Sequence, residues 1–218
     1  MPVRKIPKNH IHVTGRHAAR KSDGNADFES LLEAEHLLLL DHDLSVLCYD
    51  VQPVVIPVVG VPRGYVPDVL VEFRPDEDGA IRGPELREVK STVDLKKNAT
   101  KYAAKFEAAR AYCEQRGWSF KIITEKDIRV SRLDNVKFVR AYENQEHPPS
   151  MVTEVIKRMA DMGPTDSLSL LKSLSSDLDE QLQWLPVIWH LVAKRKIDVN
   201  WDLKFGASVQ LWPAGSMK

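Results

Sequence analysis

Asp68, Glu88 and Lys90 are the residues whose types and spacing point to chemistry in this sequence. Asp68 follows Pro67 in the run YVPDVLVEF, and Glu88 and Lys90 stand two apart in REVKST. Both runs are Val-rich and read as strands, Tyr65 to Phe73 and Glu85 to Ser91, with Gly and Pro in the turn between them. Strand side chains alternate faces, so Glu88 and Lys90 point the same way. A register that sets Asp68 beside them brings two carboxylates and an ammonium together. Hard cations such as Mg²⁺ favour such oxygen pairs, and a nucleophilic water held there would be steered by the lysine. Either dipeptide alone also suits a surface hairpin with a solvated ion pair, because Glu and Lys are among the commonest residues. The two together, in this order and in β-like runs, carry the chemical reading.

The elements that must position these groups are legible around them. Asn25 to Leu40, NADFESLLEAEHLLLL, predicts a helix with an apolar face of Phe28, Leu31, Leu32, Leu38 and Leu39, widened by Leu37 and Leu40. Glu33 falls on the row Glu33, His36, Leu37, Leu40, at the edge of that surface. A carboxylate there calls for a cation or a hydrogen bond; the plainer alternative is an exposed glutamate in a helix that favours it. Leu44 to Val59 reads as one or two strands broken by Pro53 and Pro57, followed by a turn over Gly60 to Gly64. After Lys90 comes a helix from about Leu95 to Arg116, stopped by Gly117. Its Lys96, Lys97, Lys101, Lys105 and Arg110 lie off the apolar stripe, as a rim facing DNA or as a solvated face. A strand at Trp118 to Thr124 and a helix from Asp134 to Tyr142 complete a mixed α/β layer around one central sheet.

A chain of 218 residues holds one large or two small domains. The prolines of His147-Pro148-Pro149 mark a boundary, giving a basic arm over 1–24, an α/β domain over 25–147 and a C-terminal domain over 150–218. The last contains helices at Met151 to Met162, through Leu174 after the Gly163-Pro164 break, and at Leu178 to Lys194. A hairpin at Ile197 to Trp212 follows, turning near Gly206, so a winged-helix-like module is expected. Its third helix carries Trp184, Leu185, Val187, Ile188 and Trp189 with charge only at its end, which favours docking a protein over reading a DNA groove. The formal net charge of zero hides a gradient. Met1 to Ser22 contains Arg4, Lys5, Lys8, Arg16, Arg20 and Lys21 without an acid, an arm drawn to phosphates or a solubilising tail. No apolar run approaches the ~20 residues of a membrane span, and no apolar core follows the basic N-terminus as a secretory signal requires. Cys48 and Cys113 are too few for a disulfide framework or a structural zinc site and fit a reducing compartment.

The segments RKIPKNHIHVTGRHAARKS, FESLLEAEHLLLLDHDLSV, YDVQPVVI, YVPDVLVEF, REVKSTVDL and WSFKIITEKDI, in this order and spacing over about residues 4 to 145, closely resemble the TnsA endonucleases of heteromeric cut-and-paste transposons, some of them CRISPR-associated. The resemblance implies a restriction-endonuclease-like fold with a PD-(D/E)xK-type site. The family's helix glutamate falls on Glu33, its strand aspartate on Asp68 and its spaced pair on Glu88 and Lys90. Glutamine takes the place of Glu88 in some members, so the carboxylate here is expected to strengthen metal binding. Gln52 before Pro53 matches a recurrent Gln-Pro, with a structural or auxiliary role. The resemblance further implies a bacterial, cytoplasmic enzyme in which Glu33, Asp68 and Glu88 hold Mg²⁺, with Mn²⁺ as a substitute. Lys90 would act electrostatically, and Arg4, Lys5, Lys8, Arg16, Arg20, Lys21, Lys96, Lys97 and Lys101 would grip double-stranded DNA. Such an enzyme cuts the 5′ ends of a transposon beside a DDE transposase, TnsB, and docks an AAA+ regulator, TnsC, through its C-terminal domain. Two other readings fit the same residues: another nuclease of this fold, such as a junction resolvase or restriction-type enzyme, and a non-catalytic DNA-binding scaffold with a relic site.

Overall fold

The computed structural model describes residues 14–22 and 26–216. The chain divides into two compact units, 1–129 and 130–218.

The first unit opens with a short antiparallel pair, β1 (Gly15–His17) and β2 (Ala26–Phe28). Helix α1 (Leu31–His42) starts later than the sequence predicts, because the Ser30 hydroxyl accepts from the Glu33 N–H and caps it there. The residues expected as its first turn form β2 instead. The buried residues of α1 are His36, Leu37 and Leu40, while Leu31 is 55% exposed. The row read as the edge of the apolar face is thus the inner one, and it carries Glu33 inward with it.

Strand β3 (Val46–Val51) ends before Pro53. Then β4 (Ile56–Val58) and β5 (Val61–Tyr65) form a tight hairpin on Gly60, whose φ of 78° suits the turn. The turn expected over Gly60 to Gly64 is therefore mostly strand, and the strand expected from Tyr65 to Phe73 is interrupted at Val66-Pro67-Asp68 before β6 (Val69–Phe73). After β7 (Glu85–Val89), the single helix expected from Leu95 is two: α2 (Thr92–Lys97), capped by Ser91, and α3 (Ala99–Glu114). They part at Asn98, whose φ of −115° and ψ of 24° leave the helical region and whose side-chain amide donates to Asp94 Oδ1 at 2.6 Å. β8 (Ser119–Ile123) and the short α4 (Glu125–Ile128), the latter not anticipated, close the unit.

The central sheet has the order β3-β6-β7-β8, antiparallel except for the parallel β7–β8 pair. One core, with Leu37, Leu40, Tyr49, Val69 and Val71, packs α1 on one face. Another, with Leu86, Tyr102, Phe106 and Ala109, packs α3 on the other. The sheet is a middle layer between helices.

The second unit contains α5 (Ser131–Arg140), α6 (Pro149–Met162), β9 (Thr165–Asp166), α7 (Ser167–Leu174), α8 (Leu178–Ala193), β10 (Ile197–Val199) and β11 (Gln210–Pro213). Its strands form an antiparallel sheet of order β10-β11-β9. Whereas the sequence suggests a division at His147, α5 belongs with this unit, where Phe138 meets Trp189 of α8 edge-on at 5.0 Å. Val187, Ile188 and Trp189 are buried in the unit's own core, so they are not a docking face; the exposed apolar residues of α8 are Leu178 and Leu182. Among the described residues no helix is long and apolar enough to cross a membrane.

Buried Asn135 ties down the segment between β10 and β11. Its amide donates to the carbonyls of Trp201 at 2.8 Å and Leu203 at 2.7 Å, and its oxygen accepts from Phe205 N–H at 3.0 Å. Asn135→Leu strands these backbone groups, and we expect a loss of about 2–4 kcal/mol in chemical denaturation.

Candidate active site

Register brings the first pair together. Val69 lies opposite Arg87 and Leu70 opposite Leu86, so the next position outward sets Asp68 beside Glu88 on the α3 side of the sheet. The ladder continues there through the Asp68 N–H, which donates to Arg87 O at 3.1 Å. Asp68 Oδ2 accepts from the Val89 N–H at 2.7 Å and from Lys90 Nζ at 3.2 Å. Lys90 Nζ lies 2.9 Å from Glu88 Oε1 and donates to Val89 O at 3.0 Å. Its backbone is fixed by the neighbouring strand, Lys90 N–H to Ile123 O at 3.0 Å. Glu88 is buried, and its second oxygen accepts from the Tyr65 hydroxyl at 2.7 Å. Sequence reasoning misses Tyr65, because β5, the strand of the hairpin that aims it, falls in the stretch Gly60 to Gly64 that reads as a turn.

Glu33 reaches the same end of the sheet from the opposite layer. Its Oε1 accepts from the Ser30 hydroxyl at 2.9 Å and its Oε2 from the Glu29 N–H at 2.8 Å. Ser30-x-x-Glu33 is thus a helix-capping pattern as well as a source of charge. Gln52, first residue beyond β3, is buried and has a φ of 47°.

An open cleft of about 780 Å³ has Asp68, Glu88 and Lys90 in its lining, with Arg63, Lys101 and Lys105 on its walls. Lys101 and Lys105 belong to the lysine rim that the sequence offers as facing DNA or solvent, and Arg63 is an addition. Lys96 and Lys97 stand on α2. Arg16 pairs with Asp27 at 3.3 Å, the Arg20 N–H donates to Asp41 Oδ1 at 3.1 Å, and the Lys21 ammonium donates to the carbonyls of Leu40 and Asp43 at the end of α1. Arg4, Lys5 and Lys8 lie outside the described residues.

Burial and then the Asp68 charge push the Glu33 carboxyl up to about 7, and the same two causes push Glu88 up to about 7. Burial opposes the charge on Lys90, but Asp68 and Glu88 outweigh it and raise the ammonium above its ordinary value. His36, by contrast, is brought down to about 3 by burial and by Arg87, so it stays neutral. Among the described residues no three His, Cys, Asp or Glu side chains are gathered tightly enough to hold a metal ion by themselves. The Lys90 ammonium instead lies between two of the carboxylates. The donor chemistry nonetheless suits a hard cation: the carboxylate oxygens of Asp68 and Glu88 already share one cation, the Lys90 ammonium.

A mixed sheet flanked by helices on both faces is the architecture of the restriction-endonuclease-like class. Within that class, residues 43–125 match the family described as TnsA-like endonuclease N terminal, and residues 127–201 match that described as TnsA endonuclease C terminal. The chain belongs to the TnsA endonucleases, nucleases of DNA transposition. Gln52, Asp68, Glu88 and Lys90 fall inside the matched stretch, and Glu33 precedes it. Comparison with curated proteins gives no match.

The shifted carboxyls make stability depend on pH. The folded chain holds protons on Glu33 and Glu88 up to about 7, where unfolded carboxyls lose them near 4.5. Their contribution is therefore full below the unfolded value and is lost as pH rises through the folded one. His36, lowered from 6.5 to about 3, works in the opposite sense over the lower part of that window. Comparing the wild type with Glu88→Gln separates them. Thermal melts of metal-free protein should show the wild type losing stability relative to the variant from about pH 4.5 to about pH 7.

Proposed function

We propose that this chain is a Mg²⁺-dependent endonuclease that cuts the 5′ ends of a transposon, working with a TnsB-like DDE transposase and a TnsC-like AAA+ ATPase. The observation that carries the reading is the meeting of Asp68, Glu88 and Lys90 in a cleft walled by Arg63, Lys101 and Lys105. Asp68, Glu88 and Glu33 would hold the cation. When bound, a divalent ion lowers the pKa of a water and offsets charge building on the scissile phosphate.

The chain's own groups do the rest. The Val89 N–H and the Tyr65 hydroxyl orient Asp68 and Glu88, so these carboxylates need little reorganisation on binding. Lys90, held as an ammonium, positions the attacking water and stabilises the crowded negative charge of the transition state; it is too strong a base partner to give up its proton. Water oxygen adds to phosphorus as the bond to the leaving sugar oxygen breaks; the water's proton passes to solvent in the open cleft, and solvent returns a proton to the departing oxygen. Lys101, Lys105 and Arg63 take the flanking phosphates. Such contacts supply affinity and little sequence choice, so the choice of site falls to partners. We read the second unit as a winged-helix-like docking module whose contact surface for the ATPase includes exposed Leu178 and Leu182, at 75% and 66% exposure, flanked by Asp179 and Glu180.

The test is strand-resolved mapping of cuts at transposon ends in a reaction reconstituted with both partners and Mg²⁺. Asp68→Asn and Lys90→Met should each lower 5′-end cleavage by about 100-fold or more while melting cooperatively. Cleavage at the wild-type rate by either variant, or undiminished cleavage in EDTA, would overturn the proposal. Junction-specific cutting by the isolated chain would assign it to a resolvase instead.

A further inference from the structure

Gln52 carries two local penalties that nothing in its own strand explains. Its φ of 47° lies in the left-handed region, which costs a residue with a Cβ about 1–2 kcal/mol and glycine almost nothing. The residue is only 8% exposed, and its Oε1 is buried without a hydrogen-bond partner. An unsatisfied buried carbonyl costs about 1–3 kcal/mol. Both penalties coincide at the end of the β3–β6 ladder. The Gln52 N–H donates to Asp68 O at 2.8 Å, one step beyond the Val51–Val69 pair, and Pro53 then halts the ladder for want of a donor. The turned backbone sets Gln52 beside Asp68 on the carboxylate-bearing end of the sheet.

The surroundings show where the side chain sits. Gln52 and Asp68 both line the open cleft that holds Glu88 and Lys90. Both also line a recess of about 10 Å³, which has Glu33 and His36 in its wall. That volume suits one water-sized occupant. The pair Gln52–Asp68 therefore joins the two layers from which the acidic groups come. An amide oxygen is a hard, neutral donor of the kind divalent cations accept.

Resting on the nuclease reading above, we propose that the side-chain carbonyl of Gln52 is a fourth oxygen donor of the divalent-cation site, alongside Glu33, Asp68 and Glu88. The strained backbone and the buried oxygen are then consequences of aiming a neutral donor at the cation.

Calorimetric titration of the full chain with Mn²⁺ alone tests this, with Gln52→Met and Gln52→Gly as variants. Methionine keeps the length and bulk without the carbonyl; glycine relieves the φ. Both should bind Mn²⁺ about 10-fold or more weakly than the wild type. Metal-free, both should melt at or above the wild-type temperature, with a smaller rise on adding Mn²⁺. Wild-type Mn²⁺ affinity in both variants would overturn the proposal, as would a lowered metal-free melting temperature with the Mn²⁺-induced rise intact, which marks a purely structural residue. Asp68→Asn in the same titration separates the two readings. If Asp68→Asn loses binding and the Gln52 variants keep it, only the Gln52 assignment fails. If the wild type itself does not bind Mn²⁺, the metal-dependent reading fails with it.

Discussion

Everything at this end of the sheet depends on the Lys90 ammonium, placed 3.2 Å from Asp68 and 2.9 Å from Glu88. Two carboxylates about 4 Å apart repel by roughly 4 kcal/mol at an effective dielectric of 20, and burial adds a desolvation cost to each. Without an internal cation, the strand register that sets Asp68 beside Glu88 would work against its own side chains. With it, two acids and a base keep a shared geometry at the edge of an open cleft. Glu33, farther from the ammonium, is steadied mainly by the Ser30 hydroxyl and the Glu29 N–H. The neutralisation is incomplete: one ammonium stands among three carboxylates, and Glu33 and Glu88 retain protons to about 7. A site in this condition gains from any ligand that brings positive charge.

The neighbouring glutamate on the same strand shows what full neutralisation looks like. Glu85 is 1% exposed, yet its carboxyl is held down at about 2. Burial alone would raise it, but Lys121 at 2.6 Å, Arg87 and Arg82 outweigh that cost. Glu85 and Arg87 point toward α1, whereas Glu88 and Lys90 point toward α3. Glu85 is saturated by three cations and acts as structure. Glu88 shares one cation with Asp68 and faces a cleft. Strand alternation thus sorts two buried glutamates, three residues apart, into a brace and a chemical group.

The sequence made the strand pair legible because side-chain alternation is a local rule: Glu88 and Lys90 share a face in any regular strand. It also showed the mixed α/β layer and the breaks at Gly163-Pro164 and Gly117. It did not show which face of α1 is inward. Leu31, Leu32, Leu38 and Leu39 set four leucines against the two of the row Glu33, His36, Leu37, Leu40, and only tertiary packing decides that the mixed row is buried. Tyr65 was hidden for a related reason. Its hydroxyl meets Glu88 only because β4 and β5 pair about Gly60, whereas Pro57 reads locally as a strand break and Gly60 to Gly64 as a turn. Lys21 reads as a free cation in a basic arm, although its ammonium is spent on the carbonyl end of α1, a contact across the fold.

The site therefore has two kinds of origin. Glu33 is oriented by a neighbour three residues away, through a cap that any helix beginning Ser-x-x-Glu can form. Asp68, Glu88 and Lys90 are oriented by pairing between strands, and the segment 74–84 that joins β6 to β7 has no part in holding them. Changes in that segment other than at Arg82, which pairs with Glu85, are tolerable so long as Leu70 still meets Leu86 and Val71 still meets Glu85. A slip of one residue is a different matter, because it would carry Glu88 and Lys90 to the α1 side while Asp68 stayed toward α3. Leu86, fully buried among Tyr102, Phe106 and Ala109, resists that slip: the shift would exchange its place in the α3 core for the charged side chain of Glu85 or Arg87. The apolar core on one face thus guards the register on which the carboxylates depend.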